Sequence, residues 1–317
     1  MIFILLLKGI VIKSTGSWYA VRLNNGEHID ARIKGKFRLK GIKTTNPIAV
    51  GDVVHLSEEE DGTAVIYEIE KRKNYIIRKS INLSKKSHIL AANIDQAILI
   101  VTISQPKTYT AFIDRFLITA EAYHIPTVIV FNKTDIYSDK ENEDLYFLKQ
   151  SYESIGYTCL EVSATEKSNI DKVIEIMKDK VSMVSGHSGV GKTTLLNCIE
   201  PELNLKTSEI SEIHKAGKHT TTFAEMFELS FGGYIIDTPG IKAFGLIEFK
   251  KEELSHYFIE MRERLKNCHF NNCLHINEPK CAIKDAVADH KIIEFRYLNY
   301  LGMYNDDDDE NYRGLSY

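Results

Sequence analysis

Up to about residue 78, apolar and polar residues alternate in short runs broken by Gly and Asn, as in "GSWYAVRL", "EHIDARIKGKFRLKG", "VGDVVHLS" and "TAVIYEIE". A period of two turns one face of each run inward and the other to solvent, so these read as half-buried strands of a small β-barrel. The opening "MIFILLLK" is apolar for seven residues. It is too short to span a membrane and lacks a charged leader region and a small-residue cleavage site, so it reads as a first strand. From about residue 94 the pattern changes. "IDQAILIVTI", "PTVIVF", "YTCLEVSA", "VSMVSG" and "GYIIDTPG" are compact apolar runs suited to strands covered on both faces. Helical stretches separate them: "FIDRFLITAEAYH", "ENEDLYFLKQSYESIG", "SNIDKVIEIMKDK" and "KTTLLNCIE". Alternating strands and helices predict an α/β layer with a parallel sheet. Beyond about residue 246 the pattern is helical around a segment dense in Cys and His, and an acidic run, Asp306 to Glu310, follows as a solvated tail.

A chain of 317 residues, 44% hydrophobic and 26% charged, has the composition of a soluble protein of two or three domains. Of its five cysteines, three fall within residues 268–281, which points to metal binding in a reducing compartment instead of a disulfide framework. A cytoplasmic protein is expected, and nothing demands more than a monomer. The net charge of −4 is unevenly spread: residues 1–90 hold 16 Lys/Arg against 9 Asp/Glu. One basic end on a mildly acidic chain suits a polyanionic partner at that end.

"SGHSGVGKTTLLN" (185–197) has the form G-x-x-x-x-G-K-T between an apolar strand and a helix. Glycines let the backbone wrap phosphate oxygens with its N–H groups, and the helix adds its positive N-terminal end. Phosphate contacts are expected from Gly186, His187, Ser188, Gly189, Val190, Gly191, Lys192, Thr193 and Thr194. Lys192 should reach the β- and γ-phosphates and Thr193 the Mg²⁺. Further elements select GTP. Asp237, ending "IIDTPG", is placed to hold Mg²⁺ through water, and the Gly240 amide to sense a γ-phosphate. In "FNKTD", Asp135 can accept two hydrogen bonds from guanine, with Asn132 and Lys133 in support. Alone, this stretch would read as a polar turn; the joint occurrence of the elements removes that reading. In "VSA", Ser163 and Ala164 end a strand where a backbone amide can meet guanine O6. "GKHTTTF" offers Thr220 and Thr221 hydroxyls for the Mg²⁺.

These motifs are identified as those of the GTPase superfamily, in permuted order: base-reading elements first, the phosphate loop next, and the switch elements last. Each still ends a strand at the sheet edge where open α/β sheets bind ligands. The residue after Gly240 is Ile241, where many GTPases have a water-orienting Gln. Intrinsic hydrolysis should therefore be slow unless another group orients the water. His219 is the candidate in this chain, against its alternative as a polar surface residue. The catalytic set read from sequence is Lys192, Asp237 and His219.

"CHFNNCLHINEPKC" spaces Cys268, Cys273, His275 and Cys281 as C-x4-C-x-H-x5-C, a ligand set for one closed structural Zn²⁺ site. His269 is the competing imidazole; His275 keeps the spacing compact. Cys159 and Cys198 read as buried apolar thiols. In "ARIKGKFRLKGIK", Arg32, Lys34, Lys36, Arg38 and Lys40 occur at every second position and share one strand face. A row of cations without a compensating acid suits a nucleic-acid backbone, the alternative being a solvated outer face. Trp18, Tyr19 and Phe37 can stack on bases or pack in the core.

Taken together, "ARIKGKFR", "AVGDVV", "RKNYIIRKS", "AANIDQ", "NKTD", "VSA", "SGHSGVGKTTLLN", "KHTTT", "DTPGIKAFGL", "NNCLHINEPKCAIKDAV" and "RYLNY" resemble the RsgA family of circularly permuted, small-ribosomal-subunit-dependent GTPases over nearly the whole chain. Departures are His187, where Gln is expected, and the leader "MIFILLL". The resemblance implies an N-terminal OB-fold barrel (1–78), a central circularly permuted α/β P-loop GTPase domain (79–246) and a mostly helical zinc-binding C-terminal domain (247–317). It also implies late maturation of the small ribosomal subunit, with subunit and rRNA as partners and subunit-stimulated GTP hydrolysis. Two other readings remain open. One is an RNA-assembly chaperone using GTP mainly as an affinity switch, and the other a GTPase acting on tRNA, for which no appended catalytic domain is visible.

Overall fold

The computed structural model describes residues 6–33, 47–78, 88–203, 224–237 and 250–305. In chain order the strands are β1 (Leu6–Ser14), β2 (Tyr19–Leu23), β3 (His28–Ile33), β4 (Val53–Glu58), β5 (Ala64–Ile69), β6 (Tyr75–Arg78), β7 (His88–Ala92), β8 (Gln96–Val101), β9 (Thr127–Phe131), β10 (Thr158–Glu161), β11 (Val181–Ser185), β12 (Glu225–Glu228) and β13 (Tyr234–Asp237). Helices α1 (Thr110–Ala122), α2 (Asp139–Ile155), α3 (Ile170–Met177) and α4 (Lys192–Ile199) separate the central strands, and α5 (Ala282–Ala288) and α6 (Glu294–Asn305) follow. Among the described residues no helix is long and apolar enough to cross a membrane. The chain forms two compact units, 1–97 with 173–184 and 199–240, and 98–172 with 185–198 and 241–317.

In the first unit, β1 pairs antiparallel with both β2 and β4, and the order β1-β2-β3-β5-β4 closes into a barrel. The two-residue period works as the pattern demands: Val11, Tyr19, Val21, Leu23, Ala31, Val54, Leu56, Ala64 and Ile66 fill its core. Tyr19 belongs to that core, whereas Trp18 is 43% exposed. The "AVGDVV" stretch is a packing device. Gly51 has φ +87°, and a Cβ there would lie 2.1 Å from the Ala92 carbonyl, so only glycine fits. Beside it, fully buried Asp52 accepts from the Ala49 amide at 2.8 Å and takes both Nε and Nη2 of Arg72 at 2.6 Å. β11 and β13 run parallel in the same unit, as expected of an α/β layer. β12 runs antiparallel to β13 and also meets β1 at Lys13 and Glu225. The hydrophobic pattern did not announce β12, a four-residue strand that pairs with nearby β13 and with β1 far off in sequence.

In the second unit the strand order is β10-β9-β8, with β10 parallel to β9. All six residues of β8 and all five of β9 are buried. Helix α2 begins with a capping box, in which Ser138 and Glu141 exchange backbone and side-chain bonds, and it ends at Gly156. The C-terminal residues share one core with α1: Ile118 packs with Leu254, Phe258, Met261, Ile283, Tyr300 and Met303. A buried ion cluster pins this contact. Arg296 of α6 has no solvent exposure. It donates from Nη1 to Asp114 Oδ1 at 2.6 Å, and from Nε and Nη2 to Glu260 at 2.7 and 3.1 Å. Tyr152 and Asn299 donate to Asp114 at 2.9 and 2.6 Å, and Phe258 lies 4.7 Å beneath the guanidinium. Burial pushes the Asp114 carboxyl above its ordinary value against the opposing pull of Arg296 and of the bonds from Asn299 and Tyr152.

Removing one member of such a cluster strands the others. Arg296→Leu should lower stability by about 3–5 kcal/mol, measured by chemical denaturation. Adding Asp114→Asn should recover part of that loss.

Candidate functional site

The glycine-rich loop follows β11 and lies with α4 in the second unit, and the strand-then-helix setting read from the sequence is present. Gly191 adopts φ +87°, and a Cβ there would sit 2.5 Å from Asn132 Nδ2. That close approach has a purpose visible in the bonds. Asn132, 1% exposed just beyond β9, donates from Nδ2 to the Val190 carbonyl at 2.8 Å and accepts at Oδ1 from the Ala164 amide at 3.1 Å. One side chain thus ties the phosphate loop to the "VSA" turn across three separate stretches of chain. The Ala164 N–H is committed to Asn132 here, an engagement the sequence did not suggest.

Asp135 stands on a short 3-10 turn, Thr134–Ile136, with Ser163 Oγ donating to its Oδ1 at 2.6 Å. Ser163 Oγ in turn accepts from the Glu166 amide at 3.0 Å, so the hydroxyl is fixed on both sides. The turn is anchored by Thr134, whose backbone amide donates to the Val162 carbonyl at 3.2 Å and whose Oγ1 donates to it at 3.1 Å. Lys133 takes left-handed backbone geometry at φ +67° and donates from Nζ to the Gln105 carbonyl at 2.6 Å. Lys192 and Thr193 open α4 half-buried, Thr194 is exposed, and the first helical bond runs from the Leu195 amide to the Gly191 carbonyl at 2.9 Å. Asn132, Lys133, Asp135, Ser163, Ala164 and 186–194 therefore gather at one edge of this unit. An oriented carboxylate beside a glycine-lined loop of amides can take a base with adjacent N–H donors and a polyphosphate.

The segment 102–112 after β8, which the sequence did not single out as part of the site, packs against this loop. Thr108, 4% exposed, contacts His187 Nε2 through Oγ1 at 2.7 Å, and the Phe112 ring meets the imidazole edge-on at 5.7 Å. Burial holds the His187 pKa below its ordinary value, with nearby Lys133 acting in the same direction. The available signal was polar Thr, Gln and Pro directly after a fully buried strand, the end where open α/β sheets bind ligands.

Asp237 ends β13, its backbone paired with Glu225, and its side chain lies outside the described residues. His219, Thr220, Thr221, Gly240 and Ile241 lie outside them too, as do Lys34, Lys36, Arg38 and Lys40. Arg32 is described, and it differs from the uncompensated cation expected of its strand. It bonds Glu59 at 2.5 Å and lies 5.9 Å over the Trp18 ring, because β3 runs beside β5 and brings the 59–63 turn within reach.

Cys268, Cys273, His275 and Cys281 converge, with all ligand atoms within 4.8 Å of one another. His275 Nδ1 lies 3.6 Å from Cys268 Sγ and 3.4 Å from Cys281 Sγ. A tetrahedral ion held at about 2.3 Å from sulfur and about 2.0 Å from nitrogen separates the two donors by about 3.5 Å, so the four residues fit a metal ion. His269 instead packs on Phe270, their rings 4.7 Å apart. Two features the sequence reading did not single out build this site. Tyr297 and Tyr300 donate to the His275 and Leu274 carbonyls, each at 2.6 Å. Glu278 accepts the amides of Leu274, Ile276 and Asn277 at 2.8, 2.9 and 3.1 Å. Burial raises the Glu278 pKa, but these backbone bonds outweigh it and leave the carboxyl below its usual range. Of the remaining cysteines, Cys159 is buried as expected, while Cys198 is half-buried with its thiol 3.2 Å from the Ala164 carbonyl.

Comparison with known proteins places the chain in a family. The family description RsgA GTPase matches residues 69–247, and RsgA N-terminal domain matches 8–66. A protein from Christiangramia forsetii described as small ribosomal subunit biogenesis GTPase RsgA is 55% identical, over 97% of this chain and 98% of its own. One of the same description from Flavobacterium psychrophilum is 56% identical, over 97% and 95%. Among solved structures, YjeQ from Thermotoga maritima superposes with a TM-score of 0.78 at 37% identity, covering 95% of this chain and 98% of its own. YloQ, described as a circularly permuted GTPase, gives 0.76 at 29% identity, covering 96% of each chain.

His275→Ala should abolish stoichiometric metal binding, and Glu278→Ala should weaken it about tenfold by loosening the ligand loop, both read by chelator competition with elemental analysis.

Proposed function

Because the chain belongs to the RsgA GTPase family, we propose that it hydrolyses GTP to GDP and phosphate in the late maturation of the small ribosomal subunit, in the cytoplasm, and that the subunit stimulates turnover. The observation that carries this reading is the position of Asn132, whose side chain links the phosphate loop to the turn holding Asp135. A base-reading element and a phosphate-reading element are thereby held in fixed register, as nucleotide recognition requires.

In this reading the amides of 186–194 cradle the phosphates, and Lys192 neutralises charge on the β- and γ-oxygens. Asp135, oriented by Ser163, takes the guanine N1–H and amine. Mg²⁺ would be held by Thr193 and Asp237 with Thr220 or Thr221, and when bound it supplies charge neutralisation on the β- and γ-phosphates. The Gly240 amide meets the γ-phosphate. Ile241 has no group to orient water, so alignment falls to His219 or to the subunit. Zn²⁺ is the metal suited to Cys268, Cys273, His275 and Cys281: three thiolates and one imidazole close the tetrahedron, which makes the ion structural. The cations Arg32, Lys34, Lys36, Arg38 and Lys40 would contact rRNA phosphates, with Arg32 exchanging Glu59 for phosphate. The protein would act as a monomer.

Turnover of the purified protein alone, with small subunits, with whole ribosomes and with tRNA tests the proposal. Stimulation confined to small subunits is expected. No stimulation by any of them would favour a chaperone that uses GTP as an affinity switch, and stimulation by tRNA alone would redirect the reading to tRNA. Lys192→Ala should abolish turnover and weaken triphosphate binding. Asp135→Asn should shift preference from guanine toward xanthine nucleotides in competition binding, since an amide can donate to the xanthine 2-oxo group.

A further inference from the structure

Glycine-rich loops carry a difficulty of their own. Gly189 has φ +86°, a geometry that glycine adopts at little cost along with its alternatives. The peptide between Ser188 and Gly189 can therefore flip unless something holds it. In this chain His187 holds it. Its Nδ1 lies 3.1 Å from the Ser188 carbonyl oxygen, which can only accept, so Nδ1 carries the proton. In the neutral tautomer with the proton on Nδ1, Nε2 is the acceptor, and the Thr108 hydroxyl donates to it at 2.7 Å. Thr108 Oγ1 in turn accepts the Thr102 amide at 3.0 Å, just beyond β8. Every proton in this chain of bonds has one direction, running from the end of a buried strand through the imidazole to a loop carbonyl. Phe112 closes the side of the ring, at an interplanar angle of 89°.

We propose that His187 is a positioning residue for the nucleotide diphosphate: braced by Thr108 and Phe112, it pins the Ser188 carbonyl so that the Gly189 N–H faces the phosphates. The direction follows from the planar trans peptide, in which carbonyl and following N–H point to opposite sides. The His187 imidazole acts through the backbone and not by contact with a phosphate. A Gln at this position can also donate and accept at once, whereas an aliphatic side chain cannot. The inference rests on the reading of 186–194 as the phosphate loop.

Fluorescence titration with labelled GDP tests it, alongside nucleotide-free melting temperatures. His187→Ala should weaken GDP binding about tenfold or more, the loss of one correctly aimed amide on a charged group, with nucleotide-free melting unchanged. His187→Gln should restore most of the affinity, and Thr108→Val should lose affinity in the same direction as His187→Ala. Wild-type affinity in His187→Ala, or no rescue by Gln, would overturn the proposal. If His187→Ala does not fold, Thr108→Val decides, with unchanged affinity overturning it. Failure of the wild-type protein itself to bind GDP would sink the phosphate-loop reading instead.

Discussion

A guanidinium removed entirely from water is the constraint around which the second unit is organised. Arg296 is tolerated there because Asp114 and Glu260 neutralise it and the Asp114 oxygens are further satisfied by Tyr152 and Asn299. Ion pairs of this kind contribute little net stability against an apolar replacement, but they are intolerant of misplacement, since an unpaired buried charge is very costly. The cluster therefore fixes how the C-terminal residues dock on α1. The apolar contacts of Ile118 with Phe258, Met261 and Tyr300 then supply the burial that the ions do not.

That docking reaches both chemical sites of the unit. At one end of α1, Thr108 and Phe112 brace His187 in the phosphate loop. Along its length Asp114, Ile118 and Glu121 meet the residues that carry the Cys/His cluster, Glu121 through Arg262 at 3.0 Å. The exposed Glu121–Arg262 pair adds little to stability. A metal bound by Cys268, Cys273, His275 and Cys281 would thus stiffen a segment packed on the same helix that backs the nucleotide loop. A flexible link between the two is not what the shared core provides.

The candidate site tolerates permutation because it is an edge property. Asn132, Ser163 and Gly186 each follow the end of a strand, and strand order in space is set by the hydrogen-bonded ladder, not by the order in which the chain visits it. Asn132 then joins stretches separated by 58 and 32 residues with two ordinary hydrogen bonds.

Much was legible from sequence alone. Alternating apolar residues located the barrel strands, since a strand that buries one face must repeat every second position. Continuous apolar runs located β8, β9 and β11. The loop around Lys192, the stretch from Asn132 to Asp135 and the Cys268–Cys281 spacing could be read because each packs its chemistry into a short local pattern. What tertiary structure decided has no local pattern to read. Asp114 looks like a polar residue on an amphipathic helix, and Arg296 like one on another, until folding brings these two residues, 182 positions apart, within 2.6 Å. Thr108 is one threonine among many, Glu59 compensates Arg32 only because β3 lies beside β5, and Glu278 matters through the three backbone amides it gathers. Periodicity reports how a residue divides between water and core, whereas these roles depend on which partner waits in the core, and only the folded chain supplies that partner.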